Sequence, residues 1–389
     1  MSHRQLTGRH RTWQWTSGLL LCLATMTVAA APTPAVPRPV TVVFDTDMYG
    51  DIDDALALAT LHALADRGEA RIAAVTLSTE GRWPAAFVEA VNRYYGRGDI
   101  PVGVVRDGVT EQDTIDAFGA HGWMPWLPSP RGVNYTQFVA QLEGADDSPA
   151  SPGLSGAERP SEDAVRLLRR VLAAAPDGSV VMVLGGFSTN LARLAGSPPD
   201  DISPLDGRSL VAARVRQLVA MAGNFSSAGG GSAASANKPE FNLLMDASSA
   251  QQRYARGPTP IVFSGYEIGS RVRFEQSAAE RGFGHLPGHP VGAAFSYAVP
   301  HYQQASGRPA SPHDHATFDV TAVIHAVRPD DGYFTLSQPG TVSVLADGSS
   351  RFARDASGRH RYLVLDDAQK PRLQEAIALL VSQPPVRQR

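Results

Sequence analysis

The chain has 389 residues, 43% of them hydrophobic and 19% charged, enough to bury one large core or two ordinary ones. A formal net charge of -3 and a pI near 6.4 exclude the strongly basic footprint that a nucleic-acid backbone selects. A single cysteine, Cys22, excludes an intrachain disulfide framework and Cys-ligated zinc.

At the amino end, Arg4, Arg9 and Arg11 precede the apolar run SGLLLCLATMTVAAA, and Val28 and Ala30 occupy the small-residue positions before a cleavage point. The pattern predicts a signal peptide over 1–30 and export to the periplasm or the medium. Leu21 stands where a lipoprotein signal wants a small residue, so the mature chain is expected to be free of the membrane. Cleavage would remove Cys22 together with three Arg and no acid, taking the charge from -3 to -6. Residues 31–38, APTPAVPR, form a proline-rich leader suited to neither helix nor sheet, and a single domain is expected over 39–389.

Apolar runs then alternate with helical patterns. VTVVF leads to DDALALATLHALADRG, RIAAVTL to AAFVEAVNRYYGR and SVVMVL to STNLARLAG, while LVAM follows a helix and TPIVF precedes SGYEIGSRV. This alternation predicts an α/β fold, an open, mostly parallel, doubly wound Rossmann-like sheet flanked by helices. Residues 144–161 read as a surface loop ending at Ser161, an N-cap for the next helix, and 224–239 are too glycine-rich for a regular element. Beyond Pro329, FTL, TVSVLADGSSRF and HRYLVL, with a turn at Asp347-Gly348, predict a small antiparallel C-terminal appendage.

In open α/β sheets, ligands gather outside the carboxyl ends of the strands. Every unusual polar stretch here follows a strand: Asp45 to Asp54, Ser78 to Trp83, Gly185 to Asn190, and Gly223-Asn224. The first, within FDTDMYGDIDDALALATL, crowds Asp45, Asp47, Asp51, Asp53 and Asp54 together. Taken singly, Asp51, Asp53 or Asp54 would be ordinary helix caps. Together they would raise one another's pKa values unless a cation neutralised them, and oxygen-only ligation favours Ca²⁺ or Mg²⁺.

DTDMYGDIDDALAL resembles the amino-terminal signature of the inosine-uridine-preferring nucleoside hydrolase family, a strand followed by D-x-D, a short glycine-containing turn and D-D-A-x-A-L. Two more residues separate D-x-D from D-D than in the shorter form of that signature. The likeness extends, with gaps, over residues 40 to 330. It implies a Ca²⁺ cofactor, a small-molecule nucleoside partner, and hydrolysis of the N-glycosidic bond of ribonucleosides or related N-ribosides to ribose and free base. By the same resemblance Asp47 and Asp54 are metal ligands and Asp53 meets a ribose hydroxyl; Asp47, touching both the ion and its water, is then the candidate general base. VLGGFSTNLARL resembles the segment whose backbone carbonyl binds the metal, with Gly185 as counterpart, and TFDVTAVIHAV resembles the C-terminal metal segment, with Asp319 as the third carboxylate. PEFNLLMD resembles the E-F-N segment, placing Glu240 and Asn242 at the sugar hydroxyls, a task given also to Asn224 with Asn237 as its competitor. Asp51, near the extension, either substitutes for Asp53 or supports it. The family is commonly oligomeric, which leaves a homo-oligomer open.

Two departures stand out. Purine-active members carry a His before the last Asp to handle the leaving base, where this chain has Phe318, and the asparagine expected after the second strand is missing from STEGRW. Phe318 keeps open a non-catalytic, calcium-dependent binder of nucleosides or sugars. FDTD also suits a haloacid dehalogenase-type phosphatase, but Met48 and Tyr49 stand where that family wants a small residue and Thr. Trp83, Trp123 and Trp126 are candidates to stack on a base, and His121, His301, His313 and His315 to supply a proton; each has an ordinary reading as packing or solvated loop.

Overall fold

A computed structural model describes residues 38–121, 134–144, 161–226, 238–257, 259–305 and 314–386. The segment read as a signal peptide, nearly all of the leader, Trp123, Trp126, Asn237 and His313 lie outside the described residues.

Seven strands form the parallel body of the sheet: β1 (Val40–Thr46), β2 (Ala70–Glu80), β3 (Val102–Thr110), β4 (Glu162–Asp163), β5 (Val180–Leu184), β6 (Val215–Met221) and β7 (Ile261–Ser264). Their order is β7-β6-β5-β1-β2-β3-β4, with β1 central and every neighbouring pair parallel. Successive side chains of a strand point to opposite faces, and here both faces are apolar. Val42 and Phe44 of β1 join Val181 and Val183 of β5 in one core, whereas Val43 joins Val180, Met182 and Leu184 in the other. The helix Asp53–Asp66 is buried from Asp53 to Leu64, as a helix apolar on every side must be.

The predicted α/β class is what the chain forms. The strand β3 had no counterpart in the apolar pattern, because Gly103, Arg106, Asp107 and Gly108 interrupt it and only Gly103 to Val105 are buried. A separate two-stranded antiparallel sheet joins β8 (Arg273–Phe274) to β9 (His315–Ala316). In the C-terminal part β10 (Thr335–Leu336), β11 (Gly340–Val344), β12 (Ser350–Arg354) and β13 (His360–Val364) pair antiparallel, with Gly348 at φ +77° in the β11–β12 turn. This part is continuous with the main sheet, since β13 runs parallel to β7.

The ends of β1 and β5 approach so closely that only glycine fits after β5. A Cβ on Gly186 would lie 2.5 Å from the Asp47 amide nitrogen and press on Ser78 Oγ, which already accepts the Phe187 N–H at 3.0 Å. Gly186→Ala is expected to cost about 1–3 kcal/mol by overpacking. Urea denaturation measures it, and an unchanged midpoint at unchanged slope would contradict the close approach.

Candidate functional site

β1 delivers its polar residues in two directions. Asp45 turns inward, where it accepts the Thr76 hydroxyl at 2.5 Å and the Asn190 amide at 2.8 Å. Burial pushes its pKa up to about 7 against the pull of these two bonds, so Asp45 braces the strand ends instead of facing a ligand. Past Thr46 the chain bends sharply, with Met48 at φ +48° and Gly50 at φ +86°. For Met48, fully buried, the left-handed conformation costs roughly 1–2 kcal/mol. The bend sets Asp47 beside Asp53 and Asp54, which occupy the first turn of a helix where the dipole favours acids.

A distant segment completes the cluster. Asp319 lies in the first turn of the helix Phe318–Val327, and its N–H donates to Asp53 Oδ2 at 2.9 Å. Asp53, Asp54 and Asp319 each offer a carboxylate oxygen, all within 4.8 Å of one another. Asp47 is in hydrogen-bond contact with Asp54, which also receives the Thr46 hydroxyl. All four carboxylates are buried. Burial is the largest cause of their raised pKa values; for Asp47, Asp53 and Asp319 the neighbouring charges push the same way, while hydrogen bonds from Asp319, Thr46 and Met48 oppose the rise at Asp54.

Gly185 opens the cluster's fourth side. A Cβ there would lie 2.5 Å from Asp319 Oδ2, so the bare Cα is what admits Asp319. Its carbonyl accepts the Asn242 side-chain amide at 2.7 Å, and the same amide donates to the Met221 carbonyl at 3.0 Å. Asn242 thereby ties the end of β5 to the end of β6. Glu240 caps the helix Phe241–Met245, taking the N–H groups of Asn242, Leu243 and Gly223 at 2.9, 3.2 and 3.1 Å, and burial raises its pKa to about 7. Asn224 accepts the Ser226 N–H at 3.1 Å and donates its own N–H to Ser350 Oγ at 2.9 Å. The expected site residues therefore meet along one edge of the sheet. Buried oxygens that have no cationic partner beside them among the described residues form a donor set that fits a hard divalent ion.

Residues 42–375 match the family described as inosine-uridine preferring nucleoside hydrolase. The chain belongs to this family. Membership makes it a hydrolase of N-glycosyl bonds. Its fold is similar to that of a plant nucleoside hydrolase, PpNRh1, at 19% identity over 89% of this chain and 100% of that one, with a TM-score of 0.61. A purine-preferring ribonucleoside hydrolase from Gardnerella vaginalis is 17% identical over 88% of this chain and 98% of its own, TM-score 0.58. An inosine-uridine preferring nucleoside hydrolase from Bacillus anthracis is 16% identical over 88% and 99%, TM-score 0.56. No curated protein sequence matches the chain.

In this nucleoside hydrolase the residue before Asp319 is aromatic. Phe318 stacks on Tyr266 with ring centroids 5.4 Å apart, and Tyr266 is 41% exposed. Trp83 lies under the Arg82 guanidinium at 4.1 Å, and the exposed His301 packs on Tyr297. Sequence reasoning missed Glu267, a buried carboxylate with pKa raised to about 7 by burial, whose Oε2 accepts the Phe225 N–H at 2.9 Å beside Asn224. It also left His315 without a partner, whereas Nε2 of His315 lies 3.0 Å from Asp51 Oδ1. Only the unusual density of acids at residues 45–54 hinted that a counter-charge would be needed.

The raised pKa values mean that the ion-free cluster keeps its protons to higher pH than ordinary carboxylates do, and a bound cation must compete with them. Calorimetric titration with Ca²⁺ is thus expected to show affinity that goes on rising with pH above the ordinary carboxylate range, with protons released. Affinity independent of pH, with no proton release, would exclude these carboxylates as ligands.

Proposed function

We propose that the chain hydrolyses ribonucleosides or related N-ribosides with Ca²⁺ held by Asp47, Asp54, Asp319 and the Gly185 carbonyl, Asp53 lying close enough to share the ion or a ribose hydroxyl. One observation carries this reading: carboxylates from two distant segments are buried together with no counter-charge beside them among the described residues. When bound, Ca²⁺ orients the sugar's vicinal hydroxyls and acidifies water. Asp47, made more basic by burial, takes the proton of the attacking water. As the bond from the anomeric carbon to the base stretches, positive charge grows on the sugar and the surrounding carboxylates stabilise it away from bulk water. Glu240, Asn242 and Asn224 hold the sugar from the β6 side. The signal-peptide pattern of residues 1–30 supports export of this enzyme, to act outside the cytoplasm.

Phe318 cannot donate a proton to the departing base. Catalysis then rests on the sugar, and p-nitrophenyl riboside, whose leaving group needs no acid, should be cleaved about 10² to 10⁴ times faster than inosine. Release of reducing sugar across a nucleoside panel tests the activity, and comparable rates on the two substrates would show that an acid is present after all. Binding of nucleosides without any release would favour a calcium-dependent binder.

Asp47→Asn and Asp54→Asn should each lower kcat by at least about 10²-fold while circular dichroism stays native. Near-normal turnover with unchanged metal content in either variant would overturn the ligand assignment.

A further inference from the structure

Asp51 follows the Met48 to Gly50 bend in the loop that is two residues longer than the shorter form of the family signature. It is the one acid of that loop with a cationic partner among the described residues: its Oδ1 lies 3.0 Å from Nε2 of His315 on β9. The other ring nitrogen, Nδ1, lies 3.0 Å from the Ala316 carbonyl oxygen. Both ring nitrogens therefore face oxygen atoms, an arrangement that suits the protonated ring. The two side chains are 17% and 20% exposed, which limits screening of the pair by salt. Burial alone would lower the imidazole pKa, but the contact with Asp51 and the Ala316 carbonyl together outweigh it and the pKa is raised. Arg273, across the β8–β9 pair from Ala316, adds like charge to the ring and cannot substitute for Asp51 as its partner.

On the other side, Asp51 is near enough to Asp53 for its charge to act there, and Asp53 accepts the Asp319 N–H. Asp51 thus borders the buried cluster with one oxygen turned to a cation outside it. Left free, it would add a fifth carboxylate. Ligand charge sets the affinity of a calcium site, and each further anionic ligand takes a coordination position and weakens the ion's pull on its remaining ligands.

We propose that His315 is a positioning residue that holds Asp51 out of the metal's ligand set, so that the lengthened loop presents the same carboxylates to the ion as a shorter one. The inference rests on the calcium reading above. It assigns to the loop's extra acid a restraining partner supplied by β9, three residues before Phe318.

Calcium titrated calorimetrically into the full metal-stripped chain, its His315→Gln, Asp51→Asn and doubly substituted forms tests this directly. His315→Gln frees Asp51 and should bind Ca²⁺ about tenfold more tightly while kcat on p-nitrophenyl riboside falls about tenfold. Asp51→Asn and the double variant should both bind Ca²⁺ within about twofold of the unsubstituted chain, because the gain requires the freed carboxylate. A merely structural contact would weaken binding and turnover in all three. Unchanged or weaker affinity in His315→Gln, or a loss beyond about tenfold in Asp51→Asn, overturns the proposal while leaving the calcium reading intact. An unsubstituted chain that takes up no Ca²⁺ overturns both.

Discussion

Like charges that cannot reach water are the constraint around which this protein is arranged. Asp47, Asp53, Asp54 and Asp319 share one buried volume, and each would be cheaper protonated than charged there. What surrounds them is a set of partial positive charges. Two helices begin at the cluster, the Asp319 amide donates into it, and the Thr46 hydroxyl faces Asp54. None of these neutralises a full charge, and the remaining deficit is one that a hard divalent ion would offset.

The same constraint explains why small residues collect at the end of β5. Gly185 gives up its side chain to Asp319 and Gly186 gives up its own to the backbone of β1. The carbonyl at Gly185 remains, and Asn242 fixes its direction by a hydrogen bond that also reaches β6. Replacing a side chain by a hydrogen atom loses little when the group that matters belongs to the backbone.

Much of the fold was legible because apolar runs and helical patterns alternate in register with the strands, and each of the runs VTVVF, SVVMVL and LVAM lies in a strand. β3 escaped because its outer half is polar. Within the site, Asp47, Asp53 and Asp54 could be read from local density, being near neighbours in sequence. Gly185 and Asp319 needed the family resemblance, since nothing in their own surroundings marks a glycine or a lone aspartate as special. Asn190 beneath Asp45 was marked only as part of a polar stretch, and Glu267 beside Phe225 and Ser350 beside Asn224 carried no signal at all. Each is a single polar residue whose meaning lies in a partner that only the folded sheet brings near.

That distance has a consequence in time. Asp53 is made early in synthesis, yet the amide that holds its carboxylate belongs to Asp319, 266 residues later. Ser350, which steadies Asn224, comes later still. Contacts of such long sequence separation form late and slow folding. Until they form, the acids of the first loop stand in water, where their repulsion costs little. The pocket that makes them expensive needs residues from both halves of the sequence, so the carboxylate cluster is complete only once the later half of the chain has been made.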